Sequence, residues 1–317
     1  MRCVVTGAAG FVGSSLCDRL LADGHTVTGI DCFVDYYPRE VKLRNLQGAR
    51  SSARFTFLEE NLLQADLAAL LKDADWVFHQ AAQAGVRASW GSYFSSYCDN
   101  NILSTQRLLE TAKQVKSIKK IVYASSSSIY GNAETFPTSE KVTPQPVSPY
   151  GVTKLAAEHL MSLYATEFAV PTVSLRYFTV YGPRQRPDMA FNRFAKAALT
   201  GQELSLFGDG EQSRDFTFIS DIVEANILAA QHGNPGQVFN IGGGTQATVN
   251  NVLDIIRSHV GKDLRIKRSE RQVGDARHTS ADTSLARSVL KYQPQVSLEQ
   301  GIKLEIDWMA QQLDLKE

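Results

Sequence analysis

Gly7-Ala8-Ala9-Gly10-Phe11-Val12-Gly13 follows directly on Arg2-Cys3-Val4-Val5-Thr6, and this stretch decides the fold. Arg2–Thr6 is a short β-rich run, and from Gly13 to Asp23 the apolar residues Leu16, Leu20 and Leu21 recur at helical spacing. Glycines at 7, 10 and 13 therefore sit between a strand and a helix in a GxxGxxG spacing. The first permits a tight turn off the strand, the second lets the backbone approach a pyrophosphate, and the third lets helix and strand pack closely. The helix that opens there directs unpaired N–H groups and a partial positive charge at the same point. His25–Ile30 is again β-rich, and Asp31 ends it, 18 residues after Gly13. A carboxylate at that place suits an adenosine ribose diol and repels a 2′-phosphate, so NAD is expected rather than NADP.

Outward from this unit, strand-like and helix-like runs alternate. Arg54–Leu58, a helix over Asp66–Leu71, Trp76–Gln80, a long helix from about Asn101 to Val115 and an apolar strand at Lys120–Ala124 follow in order. Strands separated by helices predict an α/β fold, a doubly wound parallel (Rossmann) sheet covered on both faces. The second half is less regular. Residues Thr179 to Ser213 carry Pro183, Pro187, Gly201, Gly208 and Gly210. Phe216–Ile219 and Val238–Ile241 read as strands returning to the first sheet. The tail from Thr248 to Glu317 reads as mostly helical, with one strand at Leu264–Lys267. A smaller α+β lobe, discontinuous in sequence, is expected.

Bulk composition fits this reading. The chain has 317 residues, 43% hydrophobic and 21% charged, with 33 basic and 33 acidic side chains. The balance offers no basic surface for nucleic acid or for a membrane. No signal peptide is expected from the residues around Arg2, and no apolar stretch is long enough to span a bilayer. Cys3, Cys17, Cys32 and Cys98 have no metal-binding spacing, so no metal is expected. They read as free thiols of a reducing compartment, and the chain as cytoplasmic.

Strand Lys120–Ala124 runs into Ser125-Ser126-Ser127-Ser128, and downstream lies Ser148-Pro149-Tyr150-Gly151-Val152-Thr153-Lys154. Ser148 is a good N-cap and Pro149 suits the first helical position. Tyr150 and Lys154 then share one helical face at i and i+4. A cation about 4–5 Å from a phenol favours the phenolate by roughly 3–4 kcal/mol at an effective dielectric near 20. Before any desolvation penalty, that lowers the phenol pKa by roughly 2–3 and makes Tyr150 a usable general base. Ser126 is placed to hydrogen-bond the same substrate oxygen.

With these motifs quoted, the resemblance is to the extended short-chain dehydrogenases that act on nucleotide sugars. It rests on Gly7–Gly13, Asp31, the Ser126 loop, the Tyr150/Lys154 pair and Arg176-Tyr177-Phe178, and it extends over nearly the whole chain. It implies NAD held by Gly7, Gly10, Phe11, Val12, Gly13, Asp31, Asn61, Leu62, Ala81, Ala82, Asn101, Tyr150, Lys154 and Tyr177, with Ser126, Tyr150 and Lys154 catalytic. Asn61 stands where an Asp often contacts adenine, and an amide can do the same. It further implies an NAD domain over 1–178 plus about 214–242, a nucleotide-sugar lobe over about 179–213 plus 243–317, and a homodimer built on two helices of the NAD domain.

Finer residues narrow the activity. Dehydratases of this type have an Asp-Glu pair where Ser127 and Ser128 stand, and UDP-glucuronate decarboxylases have a Glu at the place of Ser128. Their absence favours 4-epimerisation through a 4-keto sugar. The segments His79–Arg87, Tyr181–Ala190 and Ser213–Thr217 resemble UDP-glucuronate 4-epimerases more than UDP-glucose 4-epimerases. A substrate carboxylate needs a cation, and an arginine fork suits it. Arg186 is placed first for that role, with Arg87 and Arg184 behind it. Ser126, Ser127, Ser128 and Thr179, the last standing where galactose epimerases have Asn, line the sugar. Arg214 and Asp275 match positions that hold the diphosphate and the uridine ribose, and Arg277 is a further phosphate candidate. In Arg271-Gln272-Val273-Gly274-Asp275, Gln272 departs from the commoner arginine, leaving one phosphate contact open. The alternatives are UDP-glucose or UDP-N-acetylglucosamine 4-epimerases, the decarboxylases and dehydratases, a net dehydrogenase, and a non-catalytic NAD sensor.

Overall fold

In a computed structural model that describes residues 1–270, 274 and 276–314, the first strand β1 (Arg2–Thr6) feeds helix α1 (Phe11–Ala22) through the glycine turn. Then come β2 (Thr26–Asp31), α2 (Arg39–Asn45), α3 (Gln47–Arg50), β3 (Phe55–Glu59), α4 (Leu67–Leu71) and β4 (Trp76–His79). A bent helical run carries α5 (Phe94–Tyr97), a π-helical turn over Cys98–Leu103, and α6 (Ser104–Ala112). β5 (Lys120–Ser126), α7 (Pro149–Phe168) and β6 (Thr172–Tyr177) complete the first half.

These strands, with a late one, form a seven-stranded sheet in which every pairing is parallel. β4 is buried along its whole length and β5 nearly so. Unbroken apolar runs of this kind arise because helices cover both sheet faces. One face packs against α1 in the larger core, and the other gathers Leu67, Leu108, Leu109, Ala157 and Met161 from α4, α6 and α7. The order reverses between β1 and β4, and at the carboxyl ends of these strands the crevice of a doubly wound sheet opens.

Beyond β6 the chain enters a smaller lobe. It contains β7 (Val180–Tyr181), α8 (Ala190–Thr200), β8 (Leu204–Phe207), β9 (Ser213–Asp215) and β10 (Thr217–Phe218). Helix α9 (Ile219–His232) returns onto α1, and β11 (Gln237–Ile241) pairs with β6 as an edge strand of the large sheet. β12 (Gln246–Thr248), α10 (Val249–Val260), β13 (Ile266–Ser269) and α11 (Leu298–Gln312) finish the lobe. Helices α8, α10 and α11 pack on one another. No described helix is long and apolar enough to cross a membrane.

Two expectations are corrected. Phe216–Ile219 is no strand of the main sheet. Thr217–Phe218 pairs with Val180–Tyr181, Ser213–Asp215 pairs with β12, and Ile219 opens α9. The apolar run marks a chain crossing that is buried on both sides, and its ladder is with β7 and not with the main sheet. The long helix expected from Asn101 is underway by Phe94, because the polar run Ser95–Asn100 hides a helical turn that tertiary packing stabilises.

Candidate active site

The crevice above the sheet is a cleft of about 440 Å³. Gly7, Gly10, Phe11, Val12, Gly13, Asp31, Asn61, Leu62, Ala81, Ala82 and Tyr177 line one part of it, and Ser126, Ser127, Ser128, Tyr150, Lys154, Thr179 and Arg186 another. Most residues singled out in the sequence are thus brought together.

The glycine turn has the space for a dinucleotide. Gly7 takes φ +68°, and a Cβ on Gly13 would lie 2.1 Å from the Gly7 carbonyl oxygen, so neither position tolerates a side chain. A Cβ on Gly10 would meet only that same oxygen, at 3.2 Å, so what Gly10 keeps open is the cleft. No side chain caps α1 at Gly10, which leaves its first N–H groups directed at the cleft. Asp31 stands beside this turn, its carboxylate accepting from the Ala9 N–H at 3.0 Å and the Phe33 N–H at 2.8 Å. Burial raises its pKa, and those two N–H groups and Lys42 oppose the rise. These features fit NAD.

Asn101 lies behind the cleft wall. It is buried, its amide oxygen accepts from the Gln83 N–H at 2.7 Å, and its amide N–H groups donate to the Gln83 carbonyl and to Thr153 Oγ1 at 2.9 Å. It ties the loop after β4 to the helix turn between Tyr150 and Lys154.

Ser148 caps α7, its Oγ accepting from the Gly151 N–H at 3.1 Å, and Pro149 follows at the first position, as the sequence predicts. Tyr150 and Lys154 face the cleft with Ser126, whose hydroxyl accepts from the Ser128 N–H at 3.1 Å and lies close enough to the phenol to act on it. The expected depression of the phenol is not what emerges. Burial raises the Tyr150 pKa, and the Ser126 hydrogen bond and the Arg186 charge work against it. The desolvation set aside in the sequence estimate is the larger effect. Lys154 is itself pulled down to about 7 by burial, with Glu158 opposing.

Arg186 reaches the cleft from the loop after β7. Its Nε and Nη2 donate to the two Asp188 carboxylate oxygens at 3.0 and 2.9 Å, and its guanidinium lies 5.6 Å from the Tyr36 ring. Asp188 and Tyr36 went unnoticed in the sequence, although an acid two residues past an arginine was a usable signal. Arg184 points elsewhere and pairs with Asp18 of α1 at 2.6 Å. A φ of +71° at Arg184 turns consecutive side chains apart, which removes it from the carboxylate role. Arg87 lies with its guanidinium over the Phe207 ring at 4.4 Å, bridging to the smaller lobe and outside the cleft lining. Arg214 donates to the Ser213 and Arg277 carbonyls, and Arg277 pairs with Asp209 at 3.0 Å. Neither lines the cleft. Asp275 and Gln272 lie outside the described residues.

Beneath the pair lies a buried network that sequence reading missed. Glu158, one turn past Lys154, accepts from Arg176 through both its oxygens at 2.7–3.2 Å and from Ser125 Oγ at 2.6 Å. Arg176 also donates to the Tyr130 hydroxyl at 2.5 Å.

Known proteins agree with this geometry. Residues 3–242 match the model of the NAD dependent epimerase/dehydratase family. An uncharacterized UDP-glucose epimerase of Bacillus subtilis (strain 168) is 47% identical, over 98% of each chain. A UDP-glucuronate 4-epimerase of Thermodesulfobacterium geofontis is 36% identical over 98% of this chain and 97% of its own. The structure of a UDP-glucuronic acid 4-epimerase from Bacillus cereus, in complex with UDP-glucuronic acid and NAD, superposes with a TM-score of 0.95 at 44% identity, covering 98% of this chain and 100% of that one. A parallel sheet with its glycine turn at the switch point, and a Tyr-Lys pair across the cleft from it, are what such a match requires, and the chain belongs to the NAD dependent epimerase/dehydratase family.

Proposed function

We propose that this chain is an NAD-dependent UDP-sugar 4-epimerase that interconverts UDP-glucuronate and UDP-galacturonate. The observation that carries the choice of sugar is Arg186, a half-buried cation in the same cleft as Tyr150 whose fork grips the carboxylate of Asp188. A fork of that geometry suits a substrate carboxylate, which would take the place of Asp188 on it. The serines at 127 and 128 leave the cleft without the acidic side chain that C5 chemistry uses.

When bound, NAD accepts the hydride from C4 and later returns it. Tyr150, kept as the phenolate by Lys154, takes the proton of the C4 hydroxyl and becomes the phenol, while Ser126 hydrogen-bonds that oxygen. The 4-keto sugar turns over, and Tyr150 returns the proton as hydride arrives on the opposite face. A 4-keto uronate is a β-keto acid that can lose carbon dioxide. Arg186 holds the carboxylate away from the alignment that permits this.

Exposed apolar residues Val152 and Leu163 lie eleven residues apart on one face of α7, with Leu103 exposed just before α6. They support a homodimer in which α6 and α7 of each protomer form a four-helix contact. The four cysteines are free, which suits a cytoplasmic protein.

The test is UDP-glucuronate incubated with purified enzyme and the products separated. UDP-galacturonate is expected, and mainly UDP-pentose would reject the idea that the site holds the carboxylate out of the alignment for decarboxylation. Arg186→Ala should cost about 10–100-fold more turnover on UDP-glucuronate than on UDP-glucose, the worth of a charge-assisted hydrogen bond. Equal losses would favour the UDP-glucose reading, which the name of the Bacillus subtilis relative supports.

A further inference from the structure

Lys154 poses a physical problem. Its side chain is almost fully buried, yet among the described residues no carboxylate pairs with it. The nearest candidate, Glu158 on the next turn, already has both oxygens engaged by Arg176 and Ser125. A buried ammonium without a partner is costly and tends to shed its proton. A carboxylate partner would keep the proton but would neutralise the charge, and with it any help a cation can give to Tyr150. The site needs something that stabilises a cation without cancelling it.

The ring of Tyr123 meets that description. Lys154 Nζ lies 4.3 Å from its centroid, over the face, and Tyr123 is 1% exposed. An aromatic face attracts a cation through its quadrupole, carries no net charge, and does so most strongly where water is excluded. The Tyr123 hydroxyl, by contrast, is buried with no hydrogen-bond partner among the described residues, so the ring is the part of this side chain in use. Burial drives the ionisation of that hydroxyl well above its ordinary value, and the phenol stays neutral.

The surroundings preserve this arrangement. His79 of β4, the sheet partner of Tyr123, packs its ring beside it, centroids 5.7 Å apart, with its two ring nitrogens on Thr6 and Thr105. Burial, and then the Lys154 charge, push His79 down to about 3, so it adds no second cation there. The titratable and charged groups around Lys154 are thus Tyr150 and Glu158 on α7, Arg176 on β6 clamped to Glu158, Tyr123 on β5 and His79 on β4. From the π-helical turn packed on α7, Asn101 presents an uncharged amide.

We propose that Tyr123 is a positioning residue whose ring face seats the Lys154 ammonium, holding it charged and in place while leaving its field directed at Tyr150. This rests on the reading of Tyr150 and Lys154 as the proton-transfer pair.

The experiment replaces Tyr123 by phenylalanine and by 4-fluoro-, 3,5-difluoro- and pentafluorophenylalanine, which keep the shape and progressively weaken the ring quadrupole. Two readouts are taken on the NAD-loaded protein. One is the pH profile of turnover on UDP-glucuronate and on UDP-glucose. The other is the titration of the Lys154 Cε resonance by NMR, assigned with Lys154→Met. Tyr123→Phe should match the unsubstituted enzyme. Across the fluorinated series the alkaline limb and the lysine titration should fall together by about one pH unit, with the acid limb unmoved. A flat series in both readouts, or loss of amplitude with no change in pH dependence, overturns the proposal. If Lys154→Met keeps full turnover, the proton-transfer reading falls. The NMR series then still decides whether the ring seats the ammonium.

Discussion

A Cβ at position 13 would sit 2.1 Å from one backbone oxygen and 2.8 Å from the carbon that bears it, and a strand-turn backbone cannot yield that far. Gly13→Ala should therefore lose about 1–3 kcal/mol of stability, read as a lower urea midpoint, together with NAD affinity. Gly10→Ala should lose NAD affinity with little change in midpoint, since its Cβ finds room in the protein but not beside a pyrophosphate. A midpoint shift as large as that of Gly13→Ala would mean Gly10 serves packing instead. Both glycines were legible in the sequence because their constraint is local. So was the Tyr150/Lys154 spacing, which needs only helical geometry. The direction of the Tyr150 shift was not legible, because desolvation depends on what the rest of the chain places around the phenol. The seat of Lys154 was equally hidden. Tyr123 reads as one more apolar strand residue until α7 lies across β5.

At the scale of elements, three pieces meet under the reacting groups. Glu158 of α7, Ser125 of β5 and Arg176 of β6 form one buried cluster, and the residues next to them in sequence or one helical turn away are Ser126, Lys154 and Tyr177. The cluster fixes how far the helix stands from the strand ends. Removing one member of a buried ion pair strands the other. Arg176→Met should thus cost about 3–5 kcal/mol, measured by denaturant unfolding, whereas the double change Glu158→Leu with Arg176→Met should recover most of that loss. Additive losses in the double variant would show that the pair is not coupled. Helix α7 itself was readable from Ser148 and Pro149, since caps are written in adjacent residues. The early start of the helical run at Phe94 and the crossing at Thr217–Phe218 were not, because neighbours distant in sequence stabilise both.

Across the whole molecule, a buried carboxyl that links segments far apart in sequence is pushed well out of its usual range. Glu305 of α11 accepts from the Gly182 N–H, at the start of the loop that leads to Arg186. Burial pushes it up to about 8, and its other oxygen has no partner among the described residues. Asp215, which accepts from the Gly243 and Ala281 N–H groups, is likewise raised by burial, to about 6. A folded state that keeps a proton the unfolded chain has released loses stability as pH rises. The fold should accordingly weaken between about pH 5 and 8, and Glu305→Gln should flatten most of that slope in urea midpoints taken at both ends. An unchanged slope would place the titration elsewhere. Local chemistry sufficed to specify the glycine turn, the acid at the end of β2, the capped helix with its Tyr-Lys pair and the alternating strands, because each is set by residues within a few positions of one another. Only tertiary structure decided that Arg186 and not Arg184 enters the cleft, that Asn101 stands behind it and that an aromatic face receives Lys154. Burial, field and direction belong to the surroundings a side chain is given, and those are assembled from segments well separated in sequence.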